Sequence, residues 1–194
     1  MQFTTTFIAA AAAAFVSASP IAQADVAAPI KAGEIFSLMT IRSGSDFQYS
    51  SVQAKQSSFT INAPSQNASC AGETNSATFF LSEEGELFLN TAKPSQQAFM
   101  DRSGMGQGKL GYTTGAQPAV KNAERTGFTL DANNNLVIKS GEQSTGFVAC
   151  PNALGGGYSV WVAGSLLPGG NVGCLGFTAR AVKAENPVYC SYSQ

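Results

Sequence analysis

No histidine occurs in the 194 residues, and only 12% of them are charged, about half of the roughly 25% usual in soluble domains. The first absence removes any Ser-His-Asp or Cys-His catalytic arrangement, any imidazole general base and any His-ligated zinc. The 11 lysines and arginines are thinly spread, so no basic patch is expected for nucleic acid or an anionic membrane. The four cysteines form no CxxC pair for metal or redox work, and neither a metal nor another cofactor is expected. The apolar stretch near the N-terminus is too short to span a bilayer, and no later apolar run approaches the roughly 18 residues of a membrane span. The last residues, Tyr189-Cys190-Ser191-Tyr192-Ser193-Gln194, are not the hydrophobic tail of a glycolipid-anchor signal. No membrane anchor is expected. A hydrophobic fraction of 44% nonetheless argues for a packed domain.

The remaining features point outside the cell. Phe7 to Val16 has the length of a signal-peptide apolar region. Small residues follow it: Val16-Ser17-Ala18 suits cleavage before Ser19, and Ala22-Gln23-Ala24 suits cleavage before Asp25. The expected layout is a signal peptide over 1–18 (or 1–24), a flexible lead-in over 25–34 and one domain over 35–194. Cys70, Cys150, Cys174 and Cys190 are even in number and widely spaced, as in secreted chains. Three connectivities are open to them. Cys150–Cys174 with Cys70–Cys190 is favoured, because the first pair brackets one hairpin and the second ties the chain end to the body. Asn67-Ala68-Ser69 is the one N-glycosylation sequon, in a polar stretch beside Cys70.

Short strands dominate the mature part. Ile35 to Ile41, Phe47 to Val52 and Ser58 to Ile61 alternate or read as apolar runs between turn residues. Thr78-Phe79-Phe80-Leu81 and Glu86-Leu87-Phe88-Leu89 flank the turn Ser82 to Gly85. Gly127 to Leu130 and Leu136 to Lys139 flank the Asn-rich turn Asp131 to Asn135 in the same manner. Gly146 to Cys150, Tyr158 to Ala163 and Cys174 to Val182 supply three more strands, and Lys121 to Arg125 suits one short helical turn. About ten short strands, with no longer helical periodicity, predict an all-β fold: an antiparallel β-sandwich or barrel stapled by disulfides.

Three patterns invite functional readings. Gly106-Gln107-Gly108-Lys109-Leu110-Gly111 matches GxGxxG, but Tyr112-Thr113-Thr114-Gly115 follows instead of a helix, so a turn entering a strand is expected rather than a dinucleotide site. Glu83, Glu84 and Glu86 form the one carboxylate cluster and lie on a hairpin tip. A histidine-free glycoside hydrolase would need two carboxyls across a cleft, and solvated turn charges are the expectation. Among the aromatics, Trp161, Tyr158 and Tyr112 are candidate carbohydrate contacts. Period two in Tyr158-Ser159-Val160-Trp161-Val162 places Val160 and Val162 on the core face, and Trp161 on the other.

A set of short blocks carries a resemblance. Phe36-Ser37-Leu38-Met39, Gly108-Lys109-Leu110-Gly111-Tyr112-Thr113, Gly146-Phe147-Val148-Ala149-Cys150-Pro151, Gly157 to Gly164 and Cys174 to Ala181 occur in order. Together they resemble the fungal cell wall protein PhiA family, secreted proteins associated with phialide and conidium development, some known as allergens. The chain departs from that pattern in having Cys70 alone in its N-terminal half, in adding Cys190, and over Gln53 to Asn75. The resemblance supports the Cys150–Cys174 bridge and leaves Cys70–Cys190 by elimination. It implies a non-enzymatic role in the wall and transfers no catalytic residue. The reading is therefore a secreted cell wall protein of asexual development, with wall polysaccharide as the candidate partner. The alternatives are a secreted carbohydrate-binding module, a histidine-free glycoside hydrolase, or an effector acting on other microbes.

Overall fold

The computed structural model describes Met1 and residues 28–194. The expected signal peptide, and residues 25–27 of the lead-in, lie outside the described residues. Among the described residues fifteen strands form in chain order: β1 (Phe36–Ile41), β2 (Val52–Lys55), β3 (Ser58–Ile61), β4 (Ser69–Cys70), β5 (Thr78–Leu81), β6 (Leu87–Leu89) and β7 (Gln96–Asp101). Then come β8 (Lys109–Thr114), β9 (Phe128–Leu130), β10 (Asn135–Ser140), β11 (Gln143–Thr145), β12 (Phe147–Pro151), β13 (Tyr158–Val162), β14 (Leu175–Lys183) and β15 (Cys190–Ser191). The one helical element among the described residues is a 3-10 turn, Pro168–Gly170.

The architecture is a barrel rather than a sandwich. Nine strands close it in the order β1-β5-β6-β7-β8-β3-β13-β12-β14, and β14 returns to β1 over a register running from Phe36↔Lys183 to Ile41↔Thr178. Antiparallel neighbours must alternate in direction, so an odd ring closes only if one strand is not a full member. That strand is β3. β8 also reaches β13 directly at Lys109↔Trp161, and β3 fills the fork between them, touching β8 at Ser58↔Gly111 and β13 at Thr60↔Ser159.

The glycines of the GxGxxG pattern make that fork possible. A Cβ on Gly108, whose φ is 88°, would fall 2.4 Å from the Val162 carbonyl oxygen; one on Gly111 would fall 2.6 Å from that of Ser57. Gly106 likewise lies against the Asp101 carboxylate. Backbone contact, not a phosphate, requires these glycines, in keeping with the expected turn into a strand.

Inward residues fill the barrel. Phe36, Phe79, Ile138 and Val162 are at most 1% exposed, and the apolar void left at the centre is about 20 Å³, room for about one water. Two segments close one end, where β13 and β14 begin. Phe47 is wholly buried there, with its ring 4.9 Å from Tyr158 and 6.1 Å from Phe177. Alternation in the sequence predicts a strand over Phe47 to Val52; instead the chain turns there to insert Phe47, leaving Tyr49 at φ 64° and 67% exposed. The C-terminal tail docks at this same end, where β5 and β7 begin and β6 and β8 finish. Tyr192 N–H donates to Gln96 Oε1 (2.9 Å), Gln96 Nε2 returns to the Tyr192 carbonyl (2.9 Å), and the Tyr112 hydroxyl donates to the Ser193 carbonyl.

The disulfides join Cys70 to Cys190, across the two-stranded β4–β15 ladder, and Cys150 to Cys174. Part of the lead-in is tied down: Asn134 Nδ2 donates to the Ala28 carbonyl (3.0 Å) and accepts at Oδ1 from Ile30 N–H (3.2 Å). Lys121 to Arg125 forms no helical turn. Met100 and Glu124 exchange backbone hydrogen bonds at 2.9 and 2.7 Å, so the segment lies along the edge of β7.

Candidate functional site

With the interior filled, groups able to meet a large partner sit on the outer face. The three proposed carbohydrate contacts fare differently there. Tyr112 is 1% exposed, on the inward side of β8 with Leu110, and its ring packs 5.5 Å from Phe59. It offers no surface to a sugar, and the reason is register: period two along β8 turns Thr113, not Tyr112, outward. Burial pushes its phenol well above the usual tyrosine range. Tyr158 is half-buried at the start of β13, and its hydroxyl donates to both Asp46 oxygens at 2.8 and 3.0 Å. That bond raises the phenol's pKa and commits the hydroxyl to closing the barrel end. Trp161 lies on the outer face, as period two implied, but half-buried. Its indole N–H donates to Ser159 Oγ at 2.9 Å, and the 3-10 turn covers the ring so closely that a Cβ on Gly169 would fall 2.5 Å from it.

A different group forms an organised outward row. Phe80, Phe88, Gln97 and Thr113 are consecutive cross-strand partners on β5, β6, β7 and β8. Four strands at the usual ~4.8 Å spacing make this row about 14 Å long. The Phe80 and Phe88 rings stack with centroids 5.2 Å apart and planes 12° from parallel. Gln97 Nε2 donates to Glu86 Oε1 at 2.9 Å, while Arg125 donates to Gln97 Oε1 at 2.9 Å and to Thr113 Oγ1 at 2.8 Å. Amide, guanidinium and carboxylate are thus held in fixed planes beside two aromatic rings. By sequence Phe80 and Phe88 read only as hairpin components. The signal is present in Phe79-Phe80, where adjacent strand residues must point to opposite faces, so one Phe of the pair faces outward.

Three further carboxylates serve as fasteners. Glu124 pairs with Arg102, which holds its carboxyl below the usual range. The hydrogen bond from Lys183 does the same for Glu34. Desolvation would raise the Asp131 carboxyl, but the N–H groups of Asn135 and Asn133, each at 2.8 Å, together outweigh it and hold it down. Asp131 is therefore the anchor of the Asn-rich turn. Glu83 and Glu84 are exposed on their hairpin tip. Among the described residues no group of His, Cys, Asp or Glu could hold a metal ion. Asn67 is exposed on the loop before β4.

Comparison with known proteins gives a consistent picture. The sequence model of a family described as PhiA-like secreted protein matches residues 36–193. A cell wall protein phiA of Aspergillus niger is 44% identical over 197 residues, covering 100% of this chain and 99% of that protein. One from Emericella nidulans is 43% identical over 176 residues, covering 89% of this chain and 93% of its own length. One from Arthroderma benhamiae is 41% identical over 110 residues, covering 55% of this chain and 56% of its own length. No solved structure matches the chain.

Proposed function

Since the chain belongs to the PhiA-like secreted protein family and is a secreted cell wall protein, we propose that it is a non-enzymatic wall component of asexual development. Its outward residues Phe80, Phe88 and Gln97 are the surface that contacts neutral wall polysaccharide. The observation that carries this reading is the pre-ordering of that row by Glu86 and Arg125. Aromatic rings contact the C–H faces of pyranose rings, and planar polar side chains already fixed in place exchange hydrogen bonds with hydroxyls at little entropic cost. Neutral polymers suit a protein of formal charge −1 with few basic groups. Trp161, beneath its own turn, contributes an edge at most. A hydrolase reading gains no support from the carboxylates described above, which fasten turns and strands or sit exposed on a hairpin tip.

Co-sedimentation with insoluble chitin and β-glucan tests the surface. Wild type should be retained by at least one polymer, and Phe88→Ala and Gln97→Ala should lose most of that retention. Retention on neither, or equal retention of all three proteins, removes the surface. Deleting the gene should reduce phialides and conidia, and unaltered sporulation would remove the developmental role.

A further inference from the structure

We propose that Asn67 carries an N-linked oligosaccharide, and that it is added while the Cys70 thiol is still unpaired. The chain is secreted, and Asn67-Ala68-Ser69 satisfies the acceptor rule with no proline in the middle. The folded protein leaves this asparagine available. Asn67 and Ser69 are both exposed, and among the described residues the Asn67 side-chain amide makes no hydrogen bond, while its backbone N–H donates to Ser65 Oγ at 3.1 Å. Neighbouring asparagines are engaged: Asn62 donates to the Asp46 carbonyl, Asn75 to that of Pro64, and Asn90 to that of Val188. The backbone at Asn67, with φ 51°, adopts the left-handed turn that asparagine tolerates. A glycan there projects from a loop and displaces no packed group.

The order of synthesis supplies the second half. Cys70 lies three residues beyond Asn67, and its partner Cys190 follows 120 residues later. In the finished fold Ser69 is laddered to Ser191, which fixes the acceptor segment. Before Cys190 emerges neither the ladder nor the disulfide exists, so the sequon is an open, extensible chain. In the transfer, Asn67 Nδ2 attacks the anomeric carbon of an oligosaccharide linked to a lipid diphosphate. The N–C bond forms, the C–O bond to phosphate breaks, the lipid diphosphate departs with the electron pair, and Nδ2 gives up one proton.

Glycopeptide mapping of the protein made in a filamentous fungus, cells and medium together, tests both halves. Wild type should yield the Asn67 peptide in glycosylated form, and peptide-N-glycosidase should release the glycan and leave aspartate at that position. Ser69→Ala and Asn67→Gln should lose the glycan, and Ser69→Thr should keep it. Unmodified Asn67 throughout the wild-type protein overturns the proposal without any variant. Cys190→Ser should leave occupancy unchanged; a rise would mean that disulfide closure competes with transfer, a fall would mean that it assists, and either overturns the timing.

Discussion

Removing the Cys70–Cys190 bridge should cost more stability than removing Cys150–Cys174, and the difference follows from loop length. The first closes a separation of 120 residues and the second one of 24. In the chain-entropy account these restrict the unfolded chain by about 5 and about 3.5 kcal/mol, a gap of about 1.5 kcal/mol. The folded tail does not depend on its disulfide alone. Gln96 holds Tyr192 through two hydrogen bonds, Thr78 N–H donates to the Tyr192 hydroxyl at 3.2 Å, and Asn90 holds the Val188 carbonyl at 3.2 Å. The double variants Cys70→Ser/Cys190→Ser and Cys150→Ser/Cys174→Ser should therefore keep native near-UV spectra and differ in melting temperature. At about 2–4 °C per kcal/mol for a domain of this size, Tm should fall by about 10–20 °C in the first and about 7–14 °C in the second. Scanning calorimetry without added thiol measures both. Equal losses, or a larger loss from the short loop, would refute the entropic reasoning and place the tail's contribution in native packing.

Gly108→Ala should lose about 2–4 kcal/mol by denaturant titration. It combines φ 88° with a Cβ 2.4 Å from the Val162 carbonyl oxygen, and it endangers the 2.8 Å bond from Val162 N–H to Gly108. Gly44→Ala, at φ 80° with nothing within 4 Å, should lose only about 1 kcal/mol of left-handed strain, and equal costs would show that β8 does not need close approach at the fork. The pH profile should be flat from about pH 5 to 9 for want of histidine. On the acid side Glu124, depressed by Arg102, contributes stability above its unfolded value near 4.3 that is lost as pH falls through its folded pKa. On the alkaline side Tyr112 and Tyr192 are raised by burial. Their contribution is complete below the unfolded value near 10 and is lost as pH rises through the folded values. Tyr112→Phe should flatten that alkaline limb in pH-dependent melts, and an unchanged limb would contradict the buried phenol.

How much of the fold is legible in the sequence depends on whether the signal is local. The two hairpins are legible, because turn residues at Ser82 to Gly85 and Asp131 to Asn135 sit between alternating strands, and both form where expected. β7 is not. Gln96-Gln97-Ala98-Phe99-Met100-Asp101 shows no polar–apolar alternation, because a buried Gln96 serves the C-terminal tail and the Asp101 carboxylate accepts from Ser103 N–H in the loop before β8. Phe47 reads as a strand residue, since nothing in its neighbourhood reveals that a barrel end needs a plug. Tyr112 misleads for a related reason. Tyrosine is amphipathic, and only the distant Ser193 carbonyl decides whether its hydroxyl can be buried.

The same distinction between local and long-range causes bears on function. Aromatic residues chosen by type alone include one that lines the core and one whose hydroxyl fastens a barrel end. Phe80 and Phe88 qualify by position, because their inward neighbours Phe79, Leu81, Leu87 and Leu89 already supply the core. A strand needs one apolar face to fold, so a second apolar face at the same register is not required by folding. Two Phe residues stacked across adjacent strands beside a locked Gln–Arg–Glu set therefore call for a reason outside the barrel. Under the function proposed above, that reason is contact with wall polysaccharide.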